Sequence, residues 1–160
     1  MNRRNVLVAI ALTALGARFS SGVLAAERAD EGRNRVVSVN DIVVRYLAAW
    51  NEQDTKQRRD LIAATWTDDG TYVDRVRDGR GHESIDGMIA KAQGQFPGYR
   101  LNLASGIETH HDYVRFSWVA GGTPDAPLYI KGTDFALIAD DGRFKSVIGF
   151  VDAAPAPAAR

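Results

Sequence analysis

The sequence contains no cysteine. That excludes disulfide staples, thiolate metal sites and cysteine nucleophiles. An excess of one charge sign is also missing, because 20 basic residues face 20 acidic ones. A balanced chain offers no basic stripe of the kind that nucleic-acid binding uses, so no nucleic-acid partner is expected. No apolar run reaches the roughly 20 residues that cross a bilayer as a helix. No glycine-rich loop follows a strand and opens a helix, so no nucleotide or other cofactor is expected. The adjacent pair His110-His111 falls at a strand entrance, where neighbours point to opposite faces and chelate poorly, so no metal is expected either. What is present is ordinary globular material: 160 residues, 45% hydrophobic and 25% charged. That is enough for one domain with its own core.

The first segment reads as an address rather than as structure. Arg3 and Arg4 precede an apolar run from Val6 to Ala17, followed by small residues, with Val23 and Ala25 at the positions a signal peptidase reads. Residues 1–25 are therefore expected to be a cleaved signal peptide, and the Arg-Arg pair is a partial match to a twin-arginine export signal. Its loss takes away Arg3, Arg4 and Arg18 and no acid. The mature protein is expected to be acidic, periplasmic or secreted, with no membrane anchor after processing. Residues 26–36 read as a linker, 37–152 as the folded domain, and the Ala/Pro alternation of 153–160 as an unstructured tail.

Within the domain, Ser38 is placed to cap a helix with Asp41 three residues on. Val39, Val43, Tyr46 and Trp50 then fall on one helical stripe. A second helix is expected over 55–67 and a turn at Asp68-Asp69-Gly70. A short strand over 71–74 puts Tyr72 and Asp74 on one side. After a loop at 78–81, a third helix runs over 82–95 with Ile85, Met88 and Ile89 inward, and Phe96-Pro97-Gly98 stops it. Strands follow over 99–107, 112–119, 128–139 and 144–151, with turns at Gly121-Gly122 and Asp140-Asp141-Gly142. Helices first and a meander of strands second predict an α+β domain with a curved antiparallel sheet.

One strand stands apart. Its inward row is Leu128, Ile130, Gly132, Asp134, Ala136 and Ile138, so a carboxylate sits in the middle of an apolar face. Buried there, Asp134 must be hydrogen-bonded or uncharged. The opposite row carries Phe135 and Leu137, an apolar face that suits a second subunit in a homodimer. Asp74, beside a turn and next to Arg75, reads as the charged counterpart. Arg58, Arg59 and Arg115 read as surface charges or ion-pair partners.

The text Arg45-Tyr46-Leu47-Ala48-Ala49-Trp50-Asn51, then Trp66-Thr67-Asp68-Asp69-Gly70-Thr71-Tyr72-Val73-Asp74, then Phe96-Pro97-Gly98, Gly132-Thr133-Asp134-Phe135 and Asp141-Gly142-Arg143 resembles the nuclear transport factor 2-like superfamily. Its SnoaL-like and ketosteroid-isomerase-like branches are the nearest in pattern. The resemblance spans the folded domain and implies a cone: a curved sheet wrapped on three helices around a pocket. Arg75 stands where the superfamily usually has proline.

That resemblance implies a site. Asp74 would be the general base, with Tyr46 and Asp134 the hydrogen-bond donors to an enolate oxygen. A neutral carboxylic acid in an apolar site is the family's known device. Such chemistry takes a proton from carbon beside a carbonyl and holds the resulting oxyanion with aimed donors. Trp50, Tyr72, Met88, Ile89, Phe116 and Trp118 are expected to wall the pocket around a small, mostly apolar, carbonyl-bearing molecule. Two other functions fit the same residues. One is a non-catalytic ligand-binding or dimerisation module. The other is epoxide-hydrolase-type activation of water by Asp134, which would want an Arg–Asp pair flanking the water.

Overall fold

The stripe Val39, Val43, Tyr46 and Trp50 forms the buried side of the first helix, α1 (39–51), in a computed structural model that describes residues 39–124 and 126–153. The backbone alone is described at 122–123 and 126–128. The expected signal peptide, linker, helix cap at Ser38 and residues 154–160 of the tail lie outside the described residues. After α1 come α2 (Thr55–Thr65), β1 (Trp66–Val73), β2 (Asp78–Arg80), α3 (Gly81–Gln95), β3 (Leu101–Leu103), β4 (Glu108–His110), β5 (Tyr113–Thr123), β6 (Ala126–Ile138) and β7 (Phe144–Ala153). The sheet order is β2-β1-β7-β6-β5-β3, with β4 also paired to β5.

The chain is α+β, with three helices and a curved seven-stranded sheet among the described residues. Every pairing is antiparallel except β1–β7, which is parallel. The last strand of the meander returns beside the first, and no local sequence pattern signals that contact.

Several boundaries differ from the sequence reading for identifiable reasons. Helix α2 stops at Thr65, whose hydroxyl bonds back to the Leu61 carbonyl at 2.7 Å, and Trp66 opens a strand instead of closing a helix. Asp68-Asp69-Gly70 is a bulge inside β1, where the register with β7 jumps between Trp66 and Thr71. Arg143 fastens it by donating to Asp68 Oδ1 at 3.1 Å and the Trp66 carbonyl at 3.2 Å. His82, at the start of α3, also reaches that carbonyl, at 2.9 Å. The loop at 78–81 is mostly strand: Asp78–Arg80 pair with β1.

Of the strand expected over 99–107 only Leu101–Leu103 forms: Ser105 Oγ accepts the Ser117 N–H at 2.9 Å in place of a backbone partner, and pairing with β5 resumes beyond the expected range at Glu108–His110. Gly121 and Gly122 lie within β5, where Gly121 (φ 87°) marks a second bulge and Thr123 pairs with Ala126. Ala153, placed in the tail by composition, is the last residue of β7 and pairs with Lys131.

The core fills the space between the concave side of the sheet and α1–α3. Tyr46 is its centre: its ring lies 5.3 Å from both Trp66 and Phe116 and 5.9 Å from Phe144. Gly132 is there because Trp118 crosses it. A Cβ at 132 would sit 2.4 Å from the indole and 2.8 Å from the Phe150 carbonyl. Phe135, Ile148 and Phe150 line the convex face and are 44%, 45% and 55% exposed.

Candidate active site

Asp134 lies at the middle of β6, opposite Phe116 on β5 and Gly149 on β7. It has no exposed surface. Period-two alternation puts it in the inward row as expected, and the fold supplies its partner from α1: Tyr46 Oη to Asp134 Oδ2 is 2.6 Å. Asp134 Oδ1 and Trp118 Nε1 each lack a partner at hydrogen-bond geometry. The indole N–H nonetheless lies near enough to favour the ionised form.

Burial dominates and pushes Asp134 up to about 6, against the pull of Tyr46 and Trp118, while the negative charges of Asp74 and Asp152 push the same way as burial. The neutral acid expected from the sequence is thus accessible in mildly acid solution. Both phenols stay protonated: burial, then Asp134, raises Tyr46, and burial, then Asp134 and Asp74, raises Tyr72.

Asp74 directly follows β1, and Tyr72, two residues before it, donates to Asp74 Oδ2 at 3.1 Å. Oδ1 takes the backbone N–H groups of Val76 (2.8 Å) and Arg77 (2.7 Å). The cation on Asp74 is Arg77, at 3.2 Å, not the adjacent Arg75. Tyr72 lies between the two acids. Its hydroxyl and Asp134 Oδ1 both close on the space beside Gly149, where a Cβ would be 2.8 Å and 3.1 Å from them.

A cavity of about 150 Å³ opens over this chain of groups. Tyr46, Trp50, Tyr72, Asp74 and Trp118 line it, as the sequence reading expected. Asp134 does not line it. It stands behind Tyr46, to which it is hydrogen-bonded. Met88, Ile89 and Phe116 are also absent from the wall. They are packed in the core, at 8%, 0% and 0% exposure. Facing inward is not the same as facing a cavity, and at these positions neighbouring side chains fill the space. The sequence reading missed the loop residues Arg75, Val76 and Arg77 and the aromatic pair Phe96 and Tyr99, all in the wall. Phe96-Pro97-Gly98 read only as a helix stop. Among the described residues no group of three His, Asp or Glu side chains could hold a metal ion.

A curved sheet on three helices, with an acid-and-phenol chain behind an apolar cavity, defines a pocket-bearing α+β domain of the nuclear transport factor 2-like type. The SnoaL-like domain family matches residues 43–147. An inferred isomerase of the SnoaL-like family from Agrobacterium tumefaciens str. C58 is 38% identical, with 73% of this chain covering 99% of that one at a TM-score of 0.68. The chain belongs to the SnoaL-like family. An inferred SnoaL-like polyketide cyclase from Jannaschia sp. CCS1 shares the fold at 19% identity (72% and 86% covered, TM-score 0.60). So does a ketosteroid isomerase-like protein from Catenulispora acidiphila DSM 44928, in complex with trimethylamine, at 21% identity (68% and 82% covered, TM-score 0.56). No curated protein matches the chain.

Proposed function

We propose that this SnoaL-like domain binds a small, mostly apolar molecule bearing a carbonyl group and moves a proton on it, as a cofactor-free isomerase or cyclase does. The observation that carries this is the Tyr46–Asp134 hydrogen bond, buried directly behind a cavity that also contains Asp74. With Asp134 protonated, its O–H donates to Tyr46 Oη and the phenolic hydrogen is free for a ligand oxygen. With Asp134 ionised, Tyr46 donates to the carboxylate instead and has no hydrogen left for the ligand. Asp74 takes the proton from carbon beside the carbonyl, through Oδ2, the oxygen held by its two longer bonds. The C–H electron pair moves to the carbonyl oxygen, which Tyr46 steadies, and Asp74 returns the proton to another carbon.

One observation favours a second reading, in which the pocket only holds its ligand. Asp74 already accepts four hydrogen bonds, so a base role requires one donor to leave. A phenol that mimics the enolate separates the two. 4-Nitrophenol, whose colour reports its ionisation, is expected to bind the protein and to lose about 10-fold or more in affinity in Tyr46→Phe or Asp134→Asn. Equal affinity in all three proteins leaves only the binding module.

The convex face supports a homodimer as well: Phe135 and Phe150 meet edge to face at 6.1 Å with much of both rings exposed. A second copy of the chain covering this face predicts a dimer in sedimentation equilibrium and a monomer for Phe150→Glu. A monomeric parent protein at micromolar concentration contradicts it.

A further inference from the structure

The loop 74–77 between β1 and β2 forms part of the cavity wall and contributes two arginines to it, the exposed Arg75 and the partly buried Arg77. Arg77 is fully engaged. It donates to Asp74 at 3.2 Å and to Gln95 Oε1 at 3.3 Å, and lies over the Phe96 ring at 6.0 Å. Arg75 makes no hydrogen bond, ion pair or ring contact among the described residues. Asp74 cannot take it up, because the Val76 and Arg77 N–H groups, Tyr72 and the Arg77 guanidinium fill its roughly four acceptor positions. Most of the remaining wall is apolar, with Trp50, Phe96, Tyr99, Trp118, Ile130 and Val151, and its acid, Asp74, is paired with Arg77. A cavity of about 150 Å³ matches one that takes a single benzene ring.

We propose that Arg75 anchors an anionic ligand: a carboxylic acid whose one-ring apolar body fills the aromatic cavity while its carboxylate rests on the unpaired guanidinium. A single guanidinium fork suits a planar monoanion. A phosphate dianion would call for a second free cation, and Arg77 is already neutralised by Asp74. The inference rests on the reading of the cavity as a small-molecule site and narrows its ligand to an acid.

The test compares 4-acetylbenzoate with acetophenone, the same ring and carbonyl with and without a carboxylate, by quenching of tryptophan fluorescence. Trp50 and Trp118, in the cavity wall, are the reporters. It is run at about pH 5, where the ligand is ionised and which lies below the value of about 6 to which burial pushes Asp134. The acid is expected to bind about 10-fold tighter than the ketone, and added salt narrows the gap. Arg75→Ala removes the preference by weakening the acid far more than acetophenone, and Arg75→Lys restores part of it. Equal affinities in the parent protein, or a preference that survives in Arg75→Ala, overturn the anchor while acetophenone binding keeps the pocket. If neither compound binds, the small-molecule site itself falls and the anchor with it.

Discussion

Asp86→Ala is expected to cost about 3–5 kcal/mol of folding stability, measured by urea denaturation, the range for breaking one side of a buried ion pair. Asp86 on α3 receives Arg58 Nε at 2.7 Å and Arg59 Nε at 2.7 Å. Arg58 is 4% exposed, so deleting the acid strands a cation inside the protein. The same guanidinium donates to the carbonyls of Glu52 and Gln53 and to Gln93 Oε1. Gln93 in turn holds the carbonyls of Trp50 and Glu52 at 2.9 Å each. The ion pair therefore fixes the corner that sets Trp50 and Gln93 in the cavity wall, and the variant should weaken ligand binding as well as folding.

Burial pushes Asp86 up, but the hydrogen bonds of Arg59 and Arg58 outweigh it and leave the acid below its ordinary value. Its contribution is thus present above the unfolded value of about 4 and is lost as pH falls through the folded one. A loss under about 1 kcal/mol would mean the pair behaves as if exposed to water.

Asp134→Asn should change the other end of the pH range. A folded value of about 6 lies above the unfolded one. The native state therefore holds this proton more tightly, and stability falls as pH rises from about 4 to about 6. The full loss is on the order of 3 kcal/mol, two units at roughly 1.4 kcal/mol each. Asparagine cannot ionise, so denaturation midpoints of the variant should show no decline in that window. Ligand affinity in the parent protein should follow the same curve, high below about pH 6 and falling above it, because ionised Asp134 takes the Tyr46 hydrogen. A variant that keeps the parent's slope between pH 4 and 6 would assign that slope to another group.

These two acids also mark what a sequence can and cannot reveal. Asp134 was legible because strand alternation places it between Gly132 and Ala136, and a charge in an apolar row is conspicuous. Tyr46 was legible because it shares a helical stripe with Val39, Val43 and Trp50. Their meeting joins residues 88 apart and followed only from the resemblance. Asp86 was not legible: its partners lie 28 and 27 residues away on another helix, and nothing local distinguishes Arg58, which is buried, from Arg59, which is largely exposed.

The pocket wall divides in the same way. Alternation and helical period place Trp118, Phe116, Met88 and Ile89 inward, but only the separation of sheet and helices decides which of them meets empty space. The loop at 74–77 enters the wall because Asp74 accepts two backbone N–H groups and turns the chain back toward β2. A sequence shows such a turn without showing what it faces.

The central claim is that Asp134 is held uncharged behind Tyr46 at mildly acid pH. It is tested most directly by NMR titration of aspartate carboxyl carbons in labelled protein, with Asp134→Asn identifying the resonance. The account predicts a midpoint near 6 for Asp134. A midpoint near 4, in step with ordinary solvent-exposed acids, would contradict it.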